Sequence, residues 1–186
     1  MKAALLIVAL GLAGCAAPAL REPPATRPVA AELARFALAG RLQVRDGERS
    51  AAVGVDWQHD GAQDDWLFTG PLGQGLARIE SGPAGARMTE ASGQRSSAAS
   101  AAELAGSLLG VDAPFASLPR WVTARPGDGA QVREVDEQGR LRRVVDRGWT
   151  IEYTEYAGDA PDALPRRIDI HRGDTRLRLI VDTWNP

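Results

Sequence analysis

Cysteine occurs once in this chain, lysine once and histidine twice, and aromatic residues make up only 5% of it. Each scarcity excludes something. The lone Cys15 rules out an intramolecular disulfide and any cysteine-based metal site. His59 and His171 lie far apart, and neither has a nearby ligand-spaced Asp/His pair, so no metal site is assigned. No Gly-x-Ser-x-Gly elbow is present, and no nucleophile-and-base motif marks a hydrolase, so no catalytic residue and no cofactor are expected. Long apolar runs are missing too. The run Ala3–Leu12 has about ten residues, where a membrane-spanning helix needs roughly 18–20.

What is present begins at the N-terminus. Lys2, the only lysine, precedes that short apolar run, which ends in small residues in the manner of a secretory signal peptide. The end of the run, Leu12-Ala13-Gly14-Cys15, resembles a bacterial lipobox, in which cleavage falls before the cysteine and the cysteine is lipidated. Lipidation would consume the only thiol. Ala16 follows, where an aspartate would favour retention in the inner membrane, so the outer membrane is expected. Cleavage removes residues 1–14 and leaves 172 of the 186 residues, which suits one domain plus a tether. Residues 15–28 form the expected lipidated cysteine and its Pro- and Ala-rich tether. The processed chain carries 21 Arg against 24 Asp and Glu, a net charge of −3, which does not suit nucleic-acid binding.

From Ala37 onward the pattern is short strands. Val29–Phe36 before them is helical in character. In "LAGRLQVR", Leu38, Gly40, Leu42 and Val44 share one side; Val53, Val55 and Trp57 follow, then Trp66 and Phe68 with Leu67 opposite. Two further strands, "GLARIES" and "ARMTEAS", come after the Pro71-Leu72-Gly73 turn. Ser100-Ala101-Ala102-Glu103 is a capping box opening a helix with Leu104, Leu108 and Leu109 on roughly one face and Gly110 as its stop. A second short helical segment holds Leu118 and Trp121. Strands return: a hairpin around residues 137–140, then "GWTIEYTEY" with Trp149, Ile151 and Tyr153 aligned. A last hairpin around residues 172–175 turns Ile168, Ile170, Leu177, Leu179 and Val181 inward. About ten or eleven strands joined mostly by hairpins predict an antiparallel sheet curled over two or three helices.

In order, "GRLQV", a Trp-ended second strand, "PLG", "AAELAGSLLG", "LPRW", "GWTIEYTEY" and "LRLIVDTW" behind a lipobox resemble the LolB family of outer-membrane lipoprotein receptors. The resemblance spans nearly the whole processed domain, residues 29–186. It implies an incompletely closed antiparallel β-barrel of about eleven strands, wrapped over helices that line or cover an apolar cavity. It also implies a monomeric receptor, anchored in the outer membrane and facing the periplasm. Such a receptor takes lipoproteins from the periplasmic carrier LolA, holds their acyl chains and releases them among the phospholipids of the inner leaflet of the outer membrane. The family's protruding-loop leucine, tied to membrane insertion, corresponds to Leu72, with Pro71 and Gly73 around it. Gly70 stands where a polar residue is more usual, which bears on the turn type but leaves Pro71-Leu72-Gly73 intact.

Several features are read plainly. Trp57, Trp66, Phe68, Leu104, Leu108, Trp121, Trp149, Ile151, Leu179 and Trp184 are cavity candidates, although a filled core uses the same residue types. "GPLGQG" lacks the Lys-Ser/Thr of a phosphate loop and leads into a strand. Asp64-Asp65 and Asp159/Asp162 read as solvated turns, Arg172-Gly173-Asp174 as a hairpin turn. Arg140, Arg142, Arg143 and Arg147 read as a solvated strand face, with contact to an acidic carrier or to lipid headgroups as the lesser reading. The competing function is an outer-membrane lipoprotein that binds another lipid or scaffolds an envelope complex.

Overall fold

Among the described residues eleven strands form, and in most of them apolar residues at alternating positions put one face against a common core. They are β1 (Arg35–Asp46), β2 (Arg49–Asp60), β3 (Gln63–Thr69), β4 (Gly75–Gly82), β5 (Gly85–Glu90), β6 (Arg95–Ala98), β7 (Gln131–Val135), β8 (Leu141–Asp146), β9 (Trp149–Tyr156), β10 (Pro165–Arg172) and β11 (Thr175–Asn185). The computed structural model describes Leu33 and residues 35–185; the signal segment, Cys15 and the tether lie outside the described residues. All strands join one sheet in the order β6-β5-β4-β3-β2-β1-β11-β10-β9-β8-β7. Every pairing is antiparallel, as hairpin connections require. The first and last strands pair with each other across β1 and β11, whereas β6 and β7 remain edges, so the barrel is incompletely closed.

The concave face carries the core. Leu38, Leu42, Val53, Val55, Ile151, Tyr153, Ile168, Ile170, Leu177, Leu179 and Val181 are all buried, as their alternation predicts. Two helices lie against this face. Helix α1 (Ala101–Leu109) begins at Ser100, whose Oγ accepts from the Glu103 N–H at 3.3 Å. It ends at Gly110 in the left-handed region, φ 67°. Ala101, Leu104, Ala105 and Leu109 are buried on its inner side and Leu108 is half-buried against the core. A 3₁₀ turn, Phe115–Ser117, leads into α2 (Leu118–Val122). Helix α1 touches β4, β5 and β6. Helix α2 is tied to the other half of the sheet. The Trp121 indole donates to Asp146 on β8 at 2.8 Å, and the Tyr153 hydroxyl on β9 donates to the Trp121 carbonyl at 3.0 Å.

Three expectations change. Arg35 and Phe36 begin β1 instead of ending a helix, and Leu33 is not helical; the other residues of that segment lie outside the described residues. Phe36 is buried against Trp57 and Trp184, and that contact outweighs local helix propensity. Strand β6, with no large apolar residue, pairs with β5 through Arg95–Ala98. Asp64 and Asp65 are strand residues of β3. Asp64 Oδ1 accepts from the Trp57 indole at 2.8 Å and lies 2.7 Å from His59 Nδ1, while Asp65 pairs with Arg78.

Candidate membrane-contact and lipid-binding site

The loop between β3 and β4 carries the most exposed large apolar side chain among the described residues, Leu72 at 94%. Its backbone explains why it stands out. The Gly73 N–H donates to the Gly70 carbonyl at 2.9 Å, closing a β-turn with Pro71 and Leu72 at its centre. Proline at the first central position presets the turn. Leu72 does not have positive φ, which excludes type II and leaves type I. Gly73 takes φ 79°, and the Gly70 N–H donates to the Gln74 carbonyl at 2.8 Å. A type I turn followed by a left-handed glycine is a common three-residue hairpin loop. Thr69 then pairs with Gly75, and the shift between Phe68 and Thr69 leaves Leu76 as the extra, half-buried residue. Gly70 is the only buried residue of the loop, so the turn does not fold Leu72 inward.

The aromatic candidates separate into two groups on the concave face. Phe36, Trp57, Trp66, Phe68 and Phe115 form a chain of ring contacts beneath the 3₁₀ turn, with Trp57 and Trp66 centroids 4.7 Å apart. Trp121 and Trp149 meet at 6.4 Å beneath α2. Trp57, Trp66, Phe68, Leu104, Trp121, Trp149, Ile151 and Leu179 are buried. Trp184 is half-buried and donates to the Pro165 carbonyl at 2.8 Å. Trp66, 2% exposed, has an indole N–H with no acceptor among the described residues.

Trp66 also lines a hollow of about 200 Å³ between the start of α1, the 3₁₀ turn and the far end of the β3–β4 hairpin. Ala101, Ala102, Phe115 and Gly82 form other parts of its wall. A larger hollow, about 560 Å³, lies by the β1–β2 and β10–β11 hairpins. Its rim includes Arg178 and Asp169, an ion pair at 2.5 Å, so its surface suits water better than acyl chains.

The arginine cluster is not uniformly solvated. Arg140 is half-buried, its guanidinium 4.3 Å from the Tyr156 ring and its Nε 2.7 Å from Asp136. Burial pushes the Asp136 carboxyl up, but hydrogen bonds and charge from Arg140 and the Gln138 N–H bring it below its ordinary value. Arg143 pairs with Glu134 and Glu152. Arg142 and Arg147 are exposed. Arg172 stacks on Trp149 at 4.3 Å, so the Arg-Gly-Asp turn has a structural use. Asp159 and Asp162 are exposed in the loop before β10.

A family model, outer membrane lipoprotein LolB, matches residues 34–184. The chain belongs to the LolB family. An outer-membrane lipoprotein LolB from Azoarcus sp. is 42% identical over 174 residues, covering 93% of this chain and 89% of that one. Another, from Thiobacillus denitrificans, is 36% identical over 185 residues, covering 98% and 96%. Among solved structures, a LolA superfamily protein from Nitrosomonas europaea aligns with a TM-score of 0.48 and 11% identity over 81% of this chain and 85% of that one. The LolB family match takes in the Leu72 loop, both aromatic groups and both helices, and begins after Cys15. Sequence reasoning missed Phe115 and Gln74. Phe115 lay in a segment with no period; Gln74 could have been found from the turn, where Gly70 brings no side-chain acceptor.

Proposed function

We propose that this chain receives lipoproteins from the periplasmic carrier LolA and delivers them into the inner leaflet of the outer membrane, with no enzymatic step. Three acyl chains of roughly fifteen carbons, at ~0.8 kcal/mol per CH₂, cost on the order of 30 kcal/mol to expose to water. The concave apolar face is the surface to hold them. The hollow beside Trp66 is far too small for such chains, so acceptance needs α1 and the 3₁₀ turn to shift. Transfer then follows differential affinity and needs no nucleotide.

The observation that carries this reading is Leu72, held 94% exposed on a closed turn in a LolB-family chain. Full burial of a leucine is worth roughly 1.5–3 kcal/mol. On this turn that affinity is available to a lipid surface. The test is Leu72→Glu, scored separately for cargo acceptance from a LolA–lipoprotein complex and for delivery to membranes. Acceptance should persist and delivery should fall at least tenfold, the equivalent of ~1.4 kcal/mol. If the folded wild-type protein takes no lipoprotein from LolA, the receptor reading is wrong and a lipoprotein holding another lipid takes its place.

A further inference from the structure

We infer that Gln74 is the positioning residue that fixes the Leu72 turn for membrane contact, a role that rests on the delivery function proposed for Leu72. In a type I turn the first position commonly carries Asp, Asn or Ser. Asn and Asp side chains there accept from the backbone N–H two residues on. Here the first position is Gly70, which has no side chain, and the N–H two residues on is that of Leu72. Gln74 supplies the missing acceptor from the other side of the turn: the Leu72 N–H donates to Gln74 Oε1 at 3.1 Å.

The two residues fit only as a pair. A Cβ on Gly70 would stand 2.6 Å from Gln74 Cδ and closer still to Nε2, so the Gln74 side chain occupies the space a first-position side chain would fill. That is also why Gly70 is buried while Pro71, Leu72, Gly73 and Gln74 are all exposed. The bond acts on a particular motion. Types I and II differ by rotation of the central peptide, here Pro71–Leu72, whose N–H is the one Gln74 holds. The backbone bonds from Gly73 and Gly70 do not involve that N–H. Gln74 thus sets the direction in which Leu72 leaves the turn, while its own exposed side chain takes no part in lining the hollow beside Trp66.

The experiment uses the full-length lipidated protein in vesicles of phosphatidylethanolamine and phosphatidylglycerol, loaded from a LolA–lipoprotein complex. Gln74→Met keeps the side-chain length and removes the acceptor. It should lower delivery about three- to tenfold, the span of one intramolecular hydrogen bond, with acceptance unchanged. Gly70→Ala should do the same by displacing Gln74, and should add nothing in a Gln74→Met background. Gly70→Asn combined with Gln74→Ala moves the acceptor to the first position and should restore delivery, which a purely structural role would not predict. Faster amide exchange at Leu72 in Gln74→Met is the accompanying signature. Delivery at the wild-type level in Gln74→Met, or no recovery in the Asn/Ala double variant, overturns the inference. If Leu72→Glu abolishes delivery and Gln74→Met does not, only the role of Gln74 fails; if neither lowers delivery, the role of Leu72 fails with it.

Discussion

Asp146 is the one buried acid among the described residues, at 5% exposure, and it does what no single stretch of sequence could announce. It accepts from the Trp121 indole at 2.8 Å and from the Gly127 N–H at 3.0 Å, joining segments 25 and 19 residues away. Burial pushes its carboxyl up. The Trp121 and Gly127 hydrogen bonds, with the charges of Arg147 and Arg120, outweigh burial and bring it below its ordinary value of 3.8. A lowered folded value means the unfolded chain binds the proton more readily. The stabilisation is therefore complete above the unfolded value, near pH 4, and is lost as pH falls through the folded value. Asp146→Asn should cost about 1–3 kcal/mol at pH 7, because both bonds end on Oδ2 and a neutral amide oxygen there loses the charge that strengthens them and that draws Arg147 and Arg120. The gap between variant and wild type in urea midpoints should narrow as pH drops below about 4. A gap that is constant from pH 7 to pH 3 would show that the charge contributes nothing. Asp64 makes the same point about legibility. Three residues after Gly61 it looks like a turn residue, and only the β2–β3 register sets it beside Trp57 and His59.

At the scale of elements, the strands that alternate large apolar residues were readable and those without them were not. Trp149, Ile151 and Tyr153 define β9 by themselves, and Ile168 and Ile170 define β10. In β6, "RSSA" has no such signal, and the strand exists because β5 offers an unpaired edge. Helix α1 was readable from its ends, the Ser100 cap and the Gly110 stop, more clearly than from its face. Ala101 and Ala105 lie at the centre of the buried side, and alanine, the best helix former, suits either face of a helix. A nine-residue helix is too short to persist in isolation, so α1 depends on its cap and its docking on β4–β6. Ser100→Ala removes the acceptor for the Glu103 N–H and should cost about 1 kcal/mol. Hydrogen exchange at Leu104–Leu109 should then quicken about fivefold, while β9 and β10 keep their protection. Equal quickening across sheet and helix would mean that α1 does not open separately, which would remove it as the element that shifts for cargo.

At the scale of the whole molecule, the two candidate sites stand apart. The hollow beside Trp66 and the Leu72 turn lie at opposite ends of the β3–β4 hairpin, from the Asp64–Ser81 pair to Thr69–Gly75. Five residues of strand separate them, about 17 Å at ~3.3 Å per residue. This is why Leu72→Glu can spare acceptance. The same register fixes where the chain comes in. Arg35 pairs with Asp60, and Asp60 with Gln63, so β1 starts at the hollow's end of the sheet. Arg41 sits level with Gly54 and Thr69, at the turn's end. If Cys15 and Leu72 both contact the same leaflet, the chain before β1 must run back along the domain. That distance is six strand residues plus the height of the turn, roughly 25 Å in all. The twenty steps from Cys15 to Arg35 reach about 65–70 Å at most, which is ample. Deleting residues 16–30 leaves five steps, at most about 18 Å, which is too few. That variant should accept cargo normally and deliver at the low level of Leu72→Glu, and adding Leu72→Glu to it should change nothing further. Inserting ten Gly/Ser residues into the shortened tether should restore delivery. Full delivery from the five-step variant would mean that anchor and turn never engage one leaflet together, and would assign the exposure of Leu72 to docking on the carrier.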